Sequence, residues 1–190
     1  MEIVLASASP RRSKLLRMIG IKKFKIIPDE SEEESDLGLS PELTVCKIAL
    51  DKAKNVSQLC SPDDLIIAAD TLVFMEGYPI PKPTSPGEAV DMLRLLSGRK
   101  HSVYTGVVLL KGKLHTSGVE CTEVFFRELS DLEIINYVNT GEPMDKAGAY
   151  GAQGKGSIFI ERIEGDFFNV MGLPLCRLTL MLRNYGIMLP

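Results

Sequence analysis

Leu65-Ile66-Ile67-Ala68-Ala69-Asp70-Thr71 is the stretch that decides the fold class. Its apolar residues run on without polar alternation, the pattern of a strand covered on both faces, as in sheets with helices on either side. The run stops at Asp70-Thr71, so the strand is expected to end at Ala69. That places a carboxylate where a buried strand gives out, the position at which open α/β sheets receive ligands. A charge leaving an apolar run requires a partner or a metal. The plainer alternative is an Asp capping a turn.

Upstream of this strand, Ser40-Pro41-Glu42 opens a helix that runs to about Leu59, with Val45, Ile48, Ala49 and Ala53 on its inner face. Phe24-Lys25-Ile26-Ile27 alternates weakly and reads as a strand, and an acidic loop from Asp29 to Asp36 follows it. Residues 2 to 5 read as a short strand. Ser7-Ala8-Ser9-Pro10 then supplies a turn, an N-cap and a proline suited to a first helical turn, with Leu15, Leu16, Met18 and Ile19 on one face and Gly20 as the stop.

Downstream, Thr84-Ser85-Pro86-Gly87-Glu88 starts a helix that continues to Leu96. Strands around 101–110 and 113–127 and a helix from about Ser130 to Asn139 follow. The result is a mixed α/β fold in a single domain over residues 1–190. Gly141, Gly148, Gly151, Gly154 and Gly156 give the last third a density of permissive backbone unusual for a packing element.

The 45% hydrophobic and 25% charged content is that of a globular chain able to fold by itself. Lys and Arg total 22 against 25 Asp and Glu, so the net charge of -3 offers no field for a polyanion and any phosphate binding is local. Cys46, Cys60, Cys121 and Cys176 are scattered without a CxxC pair and are expected to be reduced, buried thiols. The chain opens directly into Ile3-Val4-Leu5 without a basic n-region, and no apolar run approaches the roughly 18 residues of a membrane span, so a cytoplasmic protein is expected.

Three clusters have the residue types for phosphate chemistry. In Ser7-Ala8-Ser9-Pro10-Arg11-Arg12, hydroxyls and two guanidiniums gather where a strand meets a helix N-terminus, a corner suited to a phosphate; the bland reading is a capped helix with solvated arginines. Glu30, Glu32, Glu33 and Glu34 read as a solvated loop unless one of them joins Asp70 around Mg²⁺, which takes one or two carboxylates together with phosphate oxygens and waters. Lys52, Lys82 between Pro81 and Pro83, and Lys146 each read as surface lysines when taken singly. There is no GxxxxGK[ST] loop, GxGxxG turn or HExxH motif, and with only His101 and His115 a histidine-rich zinc site is excluded.

In order along the chain, Leu5-Ala6-Ser7-Ala8-Ser9-Pro10-Arg11-Arg12, Ala69-Asp70-Thr71, Lys82-Pro83, Thr140-Gly141-Glu142-Pro143, Asp145-Lys146-Ala147-Gly148-Ala149-Tyr150-Gly151, Gln153-Gly154 and Asn169-Val170 with Gly172-Leu173-Pro174 resemble the Maf family. The resemblance implies an elongated α/β fold of the inosine-triphosphatase type, a mixed sheet with helices and two lobes around a central cleft. It also implies cleavage of a nucleoside triphosphate between its α- and β-phosphates in a house-cleaning role linked to cell-division arrest. The cofactor it implies is a divalent cation, Mg²⁺ with Mn²⁺ as the alternative.

Carried over by residue, Asp70 matches the family's catalytic carboxylate and Glu33 the acid that shares the metal with it. Ser7, Arg12, Lys52 and Lys82 match positions that hold the triphosphate. Arg11, Thr71 and Gln153 match positions that separate the dTTP/UTP branch from the 7-methyl-GTP branch, and all three fit the former. A glutamine amide donates and accepts at once, which suits the O4 and N3–H edge of uracil or thymine. CTP and modified pyrimidine nucleotides are further candidates.

The chain departs from the family at Ala152, where a larger aliphatic is common, and at Pro81 before Lys82. A homodimer rests on the resemblance alone. Two other functions compete: a nucleotide-binding regulator of septum formation without turnover, and a nucleic-acid binder using Arg11, Arg12 and Lys14, which the acidic balance disfavours.

Overall fold

A computed structural model describes residues 1–29 and 39–189 of the chain. The elements are β1 (Ile3–Leu5), α1 (Pro10–Met18), β2 (Lys25–Ile26), α2 (Pro41–Ser57), β3 (Leu65–Met75), β4 (Tyr78–Ile80), α3 (Pro86–Leu96), β5 (Lys100–Lys111), β6 (Leu114–Phe126), α4 (Asp131–Val138), β7 (Ile160–Glu164), α5 (Phe167–Val170) and α6 (Leu175–Arg183). Short 3-10 turns fill Glu142–Asp145, Ala147–Ala149 and Lys155–Phe159. The strands form a seven-stranded sheet in the order β2-β1-β3-β5-β6-β7, with β4 on β3. β1 is parallel to both β2 and β3, while β4 and β7 are antiparallel to their neighbours, which makes the sheet mixed.

The described residues divide into two compact units. One contains Met1–Asp70, Thr105–Glu120 and the chain from Gly172 onward; the other contains Thr71–Tyr104 and Cys121–Met171. In the first unit, Val4, Ala6, Ile66 and Ala68 pack with Ala49, Ala53 and Val56 of α2 and with Val108 and Leu110 of β5. Leu5, Leu65 and Ile67, which alternate with them, are also fully buried, so the sheet is covered on both faces as the apolar run predicts. The small Ala49 and Ala53 let α2 lie close on the sheet. Gly106 completes the approach: a Cβ there would lie 2.5 Å from the Val45 carbonyl.

The second unit has its own core, in which Ala89, Leu93 and Leu96 of α3 and Ile134, Tyr137 and Val138 of α4 pack with Val73, Val103, Val124 and Phe126 of the strands. Ala149, Tyr150, Ala152 and Phe159 belong to the same cluster. The glycine-rich stretch is therefore a packed element, contrary to its compositional reading. Helix starts follow their signals: Ser40 and Ser85 accept backbone N–H bonds ahead of a proline, and Ser130 with Glu133 forms a capping box. Ser9 precedes Pro10 as expected but makes no side-chain cap bond.

Two further expectations are corrected. β3 does not stop at Ala69 but continues to Met75, so Asp70 and Thr71 lie inside a strand and Asp70 caps no turn. No cysteine is fully buried: Cys46 and Cys60 are half-buried, and Cys121 and Cys176 are exposed. Cys121 falls on an outward position of β6, between the half-buried Glu120 and the buried Thr122. Among the described residues no helix is long and apolar enough to cross a membrane.

Candidate functional site

Asp70 is carried into the interior by its strand, between the fully buried Ala69 and the partly covered Thr71. The charge is met by Lys52, 18 residues earlier on α2, whose Nζ lies 2.7 Å from Oδ1. The side chains are only 12% and 6% exposed, for Lys52 and Asp70 respectively. Taken singly, Lys52 reads as a surface residue; its buried role follows from its place on the inner half of α2, three residues after Ala49 and one before Ala53. The other oxygen, Asp70 Oδ2, is buried and accepts no hydrogen bond. A desolvated carboxylate oxygen left without a partner costs free energy unless something else binds it.

The turn after β1 forms a second cluster in the same unit. Ser7 is buried, and its Oγ accepts from the Ser9 amide at 3.2 Å and from Arg12 Nη1 at 3.1 Å. Arg12 Nε donates to the Gly172 carbonyl at 2.8 Å, which ties α1 to the Gly172-Leu173-Pro174 segment far along the chain. The guanidinium is thereby held in one orientation, the state in which Arg binds oxyanions with least ordering cost. Arg11, in the first turn of α1, is half-buried. The sequence motif thus folds into a fixed guanidinium rather than two solvated ones.

The other expected residues lie elsewhere. Thr71 follows Asp70 on β3 and is half-buried, Lys82 is exposed between its prolines, and Gln153 is exposed in the turn before Lys155. The Pro81 carbonyl accepts from the Gly148 amide at 3.1 Å, anchoring the Lys82 loop to the glycine-rich segment. Lys146 is not a surface lysine: its ammonium bonds the Glu142 carbonyl and the Asp145 carboxylate. Glu30, Glu32, Glu33 and Glu34 lie outside the described residues. Among the described residues, no three His, Cys, Asp or Glu side chains gather as a metal cluster.

Two ordered groups escaped the sequence reading of the site. Glu142 accepts from the Tyr137 hydroxyl and from the amides of Lys155 and Gly156. Burial pushes its carboxyl up, but these hydrogen bonds outweigh it and hold the pKa below the usual carboxylate value. His101, 2% exposed, pairs its Nε2 with the Tyr150 hydroxyl at 2.8 Å and meets the Phe126 and Tyr150 rings edge-on. Burial lowers its pKa from 6.5 to about 4, against the opposing pull of Glu123.

The model of the Maf-like protein family matches residues 2–185. A dTTP/UTP pyrophosphatase of Caldicellulosiruptor bescii is 48% identical over 189 residues, covering 97% of this chain and 94% of that protein. The dTTP/UTP pyrophosphatase of Carboxydothermus hydrogenoformans is 48% identical over 188 residues, covering 98% and 100%. Among solved structures, the Staphylococcus aureus Ham1 protein is similar with a TM-score of 0.50 at 14% identity, covering 84% of this chain and 80% of that one. That likeness is one of fold, and with the mixed sheet it bears out the inosine-triphosphatase-like α/β class.

Proposed function

This chain belongs to the Maf family, and on that premise we propose that it hydrolyses dTTP and UTP to the nucleoside monophosphate and pyrophosphate, with residues 1–190 acting as one catalytic domain. The observation that carries the reading is the Asp70 carboxylate: one oxygen is fixed by Lys52, and the other is buried and unpartnered. Lys52 fixes Oδ1 and leaves Oδ2 as the atom to take a proton or a cation.

In this reading water adds to the α-phosphorus while the bond to the bridging oxygen breaks, and pyrophosphate departs with that oxygen. Asp70 orients the water and accepts its proton, general-base work worth about 10²–10⁴-fold. Ser7 and the braced Arg12, with Lys52 and Lys82, hold phosphate oxygens and stabilise the charge that develops on the leaving group. Arg11, Thr71 and Gln153 select the pyrimidine.

A divalent cation fits Asp70 Oδ2, since hard cations take carboxylate oxygens and this one is otherwise unsatisfied. Mg²⁺ is the metal proposed, Mn²⁺ the alternative, with Glu33 as the second carboxylate; when bound it neutralises phosphate charge. The substrate is a small-molecule triphosphate in the cytoplasm, without nucleic acid or membrane partners.

The test is incubation with Mg²⁺ and separate dTTP, UTP, CTP, GTP and 7-methyl-GTP, with nucleotide products resolved by chromatography and pyrophosphate assayed independently. Monophosphate and pyrophosphate in equal amounts from dTTP and UTP are expected. Diphosphate and phosphate, turnover of 7-methyl-GTP alone, or binding without product each contradict the proposal.

A further inference from the structure

Gln153 lies exposed between backbone groups that are anchored on both sides by side chains the reaction itself does not use. Glu142 Oε1 accepts from the Tyr137 hydroxyl at 2.9 Å and from the Gly156 amide at 3.2 Å, and Oε2 accepts from the Lys155 amide at 3.0 Å. The Tyr137 oxygen in turn accepts from the Gly151 amide at 3.1 Å. Between these anchors the Gly154 amide closes a turn onto the Gly151 carbonyl at 3.2 Å. The glycines leave room for the anchoring groups: a Cβ at Gly154 would lie 2.3 Å from Glu142 Oε1, and one at Gly151 2.8 Å from Lys146 Cε.

We propose that Glu142 and Tyr137 form a clamp that fixes the position of Gln153, and are thereby positioning residues for choice of the base. The inference rests on the proposed role of Gln153 in meeting the pyrimidine. Discrimination by one amide depends on holding its donor and acceptor where the correct edge satisfies both and a wrong edge leaves one unpaired. A carboxylate that binds two backbone amides and a phenol does this from one side of the turn, and the phenol does it from the other. Without the clamp the amide is spread over several loop conformers, and the substrate must order it on binding.

The experiment compares Tyr137→Phe, Glu142→Gln, Glu142→Ala and Gln153→Ala for kcat and KM on UTP, dTTP and CTP, with thermal melting of each and amide exchange of Gly151, Lys155 and Gly156. Tyr137→Phe and Glu142→Ala are expected to raise KM for UTP roughly 5- to 30-fold while kcat falls less than about 3-fold, to cut the UTP-over-CTP preference, and to speed exchange at the named amides. Glu142→Gln, which keeps an accepting oxygen, is expected to restore part of the loss. If Gln153→Ala erodes the preference while folded Tyr137→Phe and Glu142→Ala leave it intact, the clamp is overturned and the role of Gln153 stands. If the clamp variants erode it and Gln153→Ala does not, Glu142 and Tyr137 do not act through Gln153, and the clamp as proposed fails together with the role of Gln153. If none changes it, both fail.

Discussion

The Asp70–Lys52 pair holds a buried carboxylate and the Glu142 clamp a half-buried one, and they satisfy it in opposite ways. Asp70 meets one ammonium and keeps an oxygen without a partner. Glu142 engages both oxygens, chiefly with backbone amides. The difference separates reactivity from shape: an unsatisfied oxygen is ready to bind something, whereas a saturated one holds the chain around it. Both arrangements follow from the same rule, that a charge withdrawn from water, wholly at Asp70 and partly at Glu142, is costly unless paired.

Removing Lys52 breaks the first arrangement most severely. Lys52→Met leaves the Asp70 charge buried without its partner and is expected to cost about 3–5 kcal/mol in urea unfolding. Adding Asp70→Leu is expected to recover most of that loss, because the double variant no longer buries an unpaired charge. A loss below about 1 kcal/mol in the single variant shows that the pair is solvated and that the contrast with Glu142 is overdrawn.

The second unit has a titration of its own. His101 stays neutral in the fold down to about pH 4, whereas the unfolded chain protonates it near 6.5, so over that window the unfolded state holds more protons and stability falls as pH falls. The contribution is on the order of 3 kcal/mol between pH 6.5 and 4. In His101→Gln the pH dependence of unfolding across that window is expected to be shallower by up to this amount, and an unchanged slope contradicts a buried neutral imidazole. The smallest effect concerns the clamp: Gly154→Ala drives a Cβ against Glu142 Oε1 and is expected to cost about 1–3 kcal/mol in Tm-based unfolding. In a Glu142→Ala background the added cost of Gly154→Ala is expected to be smaller, since the obstructing carboxylate is gone.

The two arrangements were not equally legible in the sequence. The apolar run at 65–69, the serine caps and the proline at the first turn of α2 and α3 announce themselves locally, and each forms the element expected of it. Asp70 interrupts the run and so hides the continuation of β3 to Met75; the strand persists because Lys52 answers the charge from another element. Glu142 stands in a quoted family string, yet its work depends on amides 13 and 14 residues later returning to it, which no local pattern encodes. The glycines around it read as permissive backbone; at Gly141 and Gly148 a positive φ does require glycine, while at Gly151, Gly154 and Gly156 the cause is the absence of space for a Cβ. β7 and α6 gave no usable signal, since β7 spans only Ile160–Glu164 and α6 begins after Pro174 without a side-chain cap.

The most direct test of the account is the activity of Asp70→Asn on dTTP, measured beside the wild type at saturating Mg²⁺, with Mg²⁺ affinity determined for both proteins by calorimetry. The account predicts a folded protein whose kcat falls at least about 100-fold. If Asp70→Asn keeps more than roughly a tenth of wild-type activity, Asp70 is not the base. A loss that appears only at sub-saturating Mg²⁺, with weakened Mg²⁺ affinity and near-normal kcat at saturation, makes Asp70 a metal ligand only.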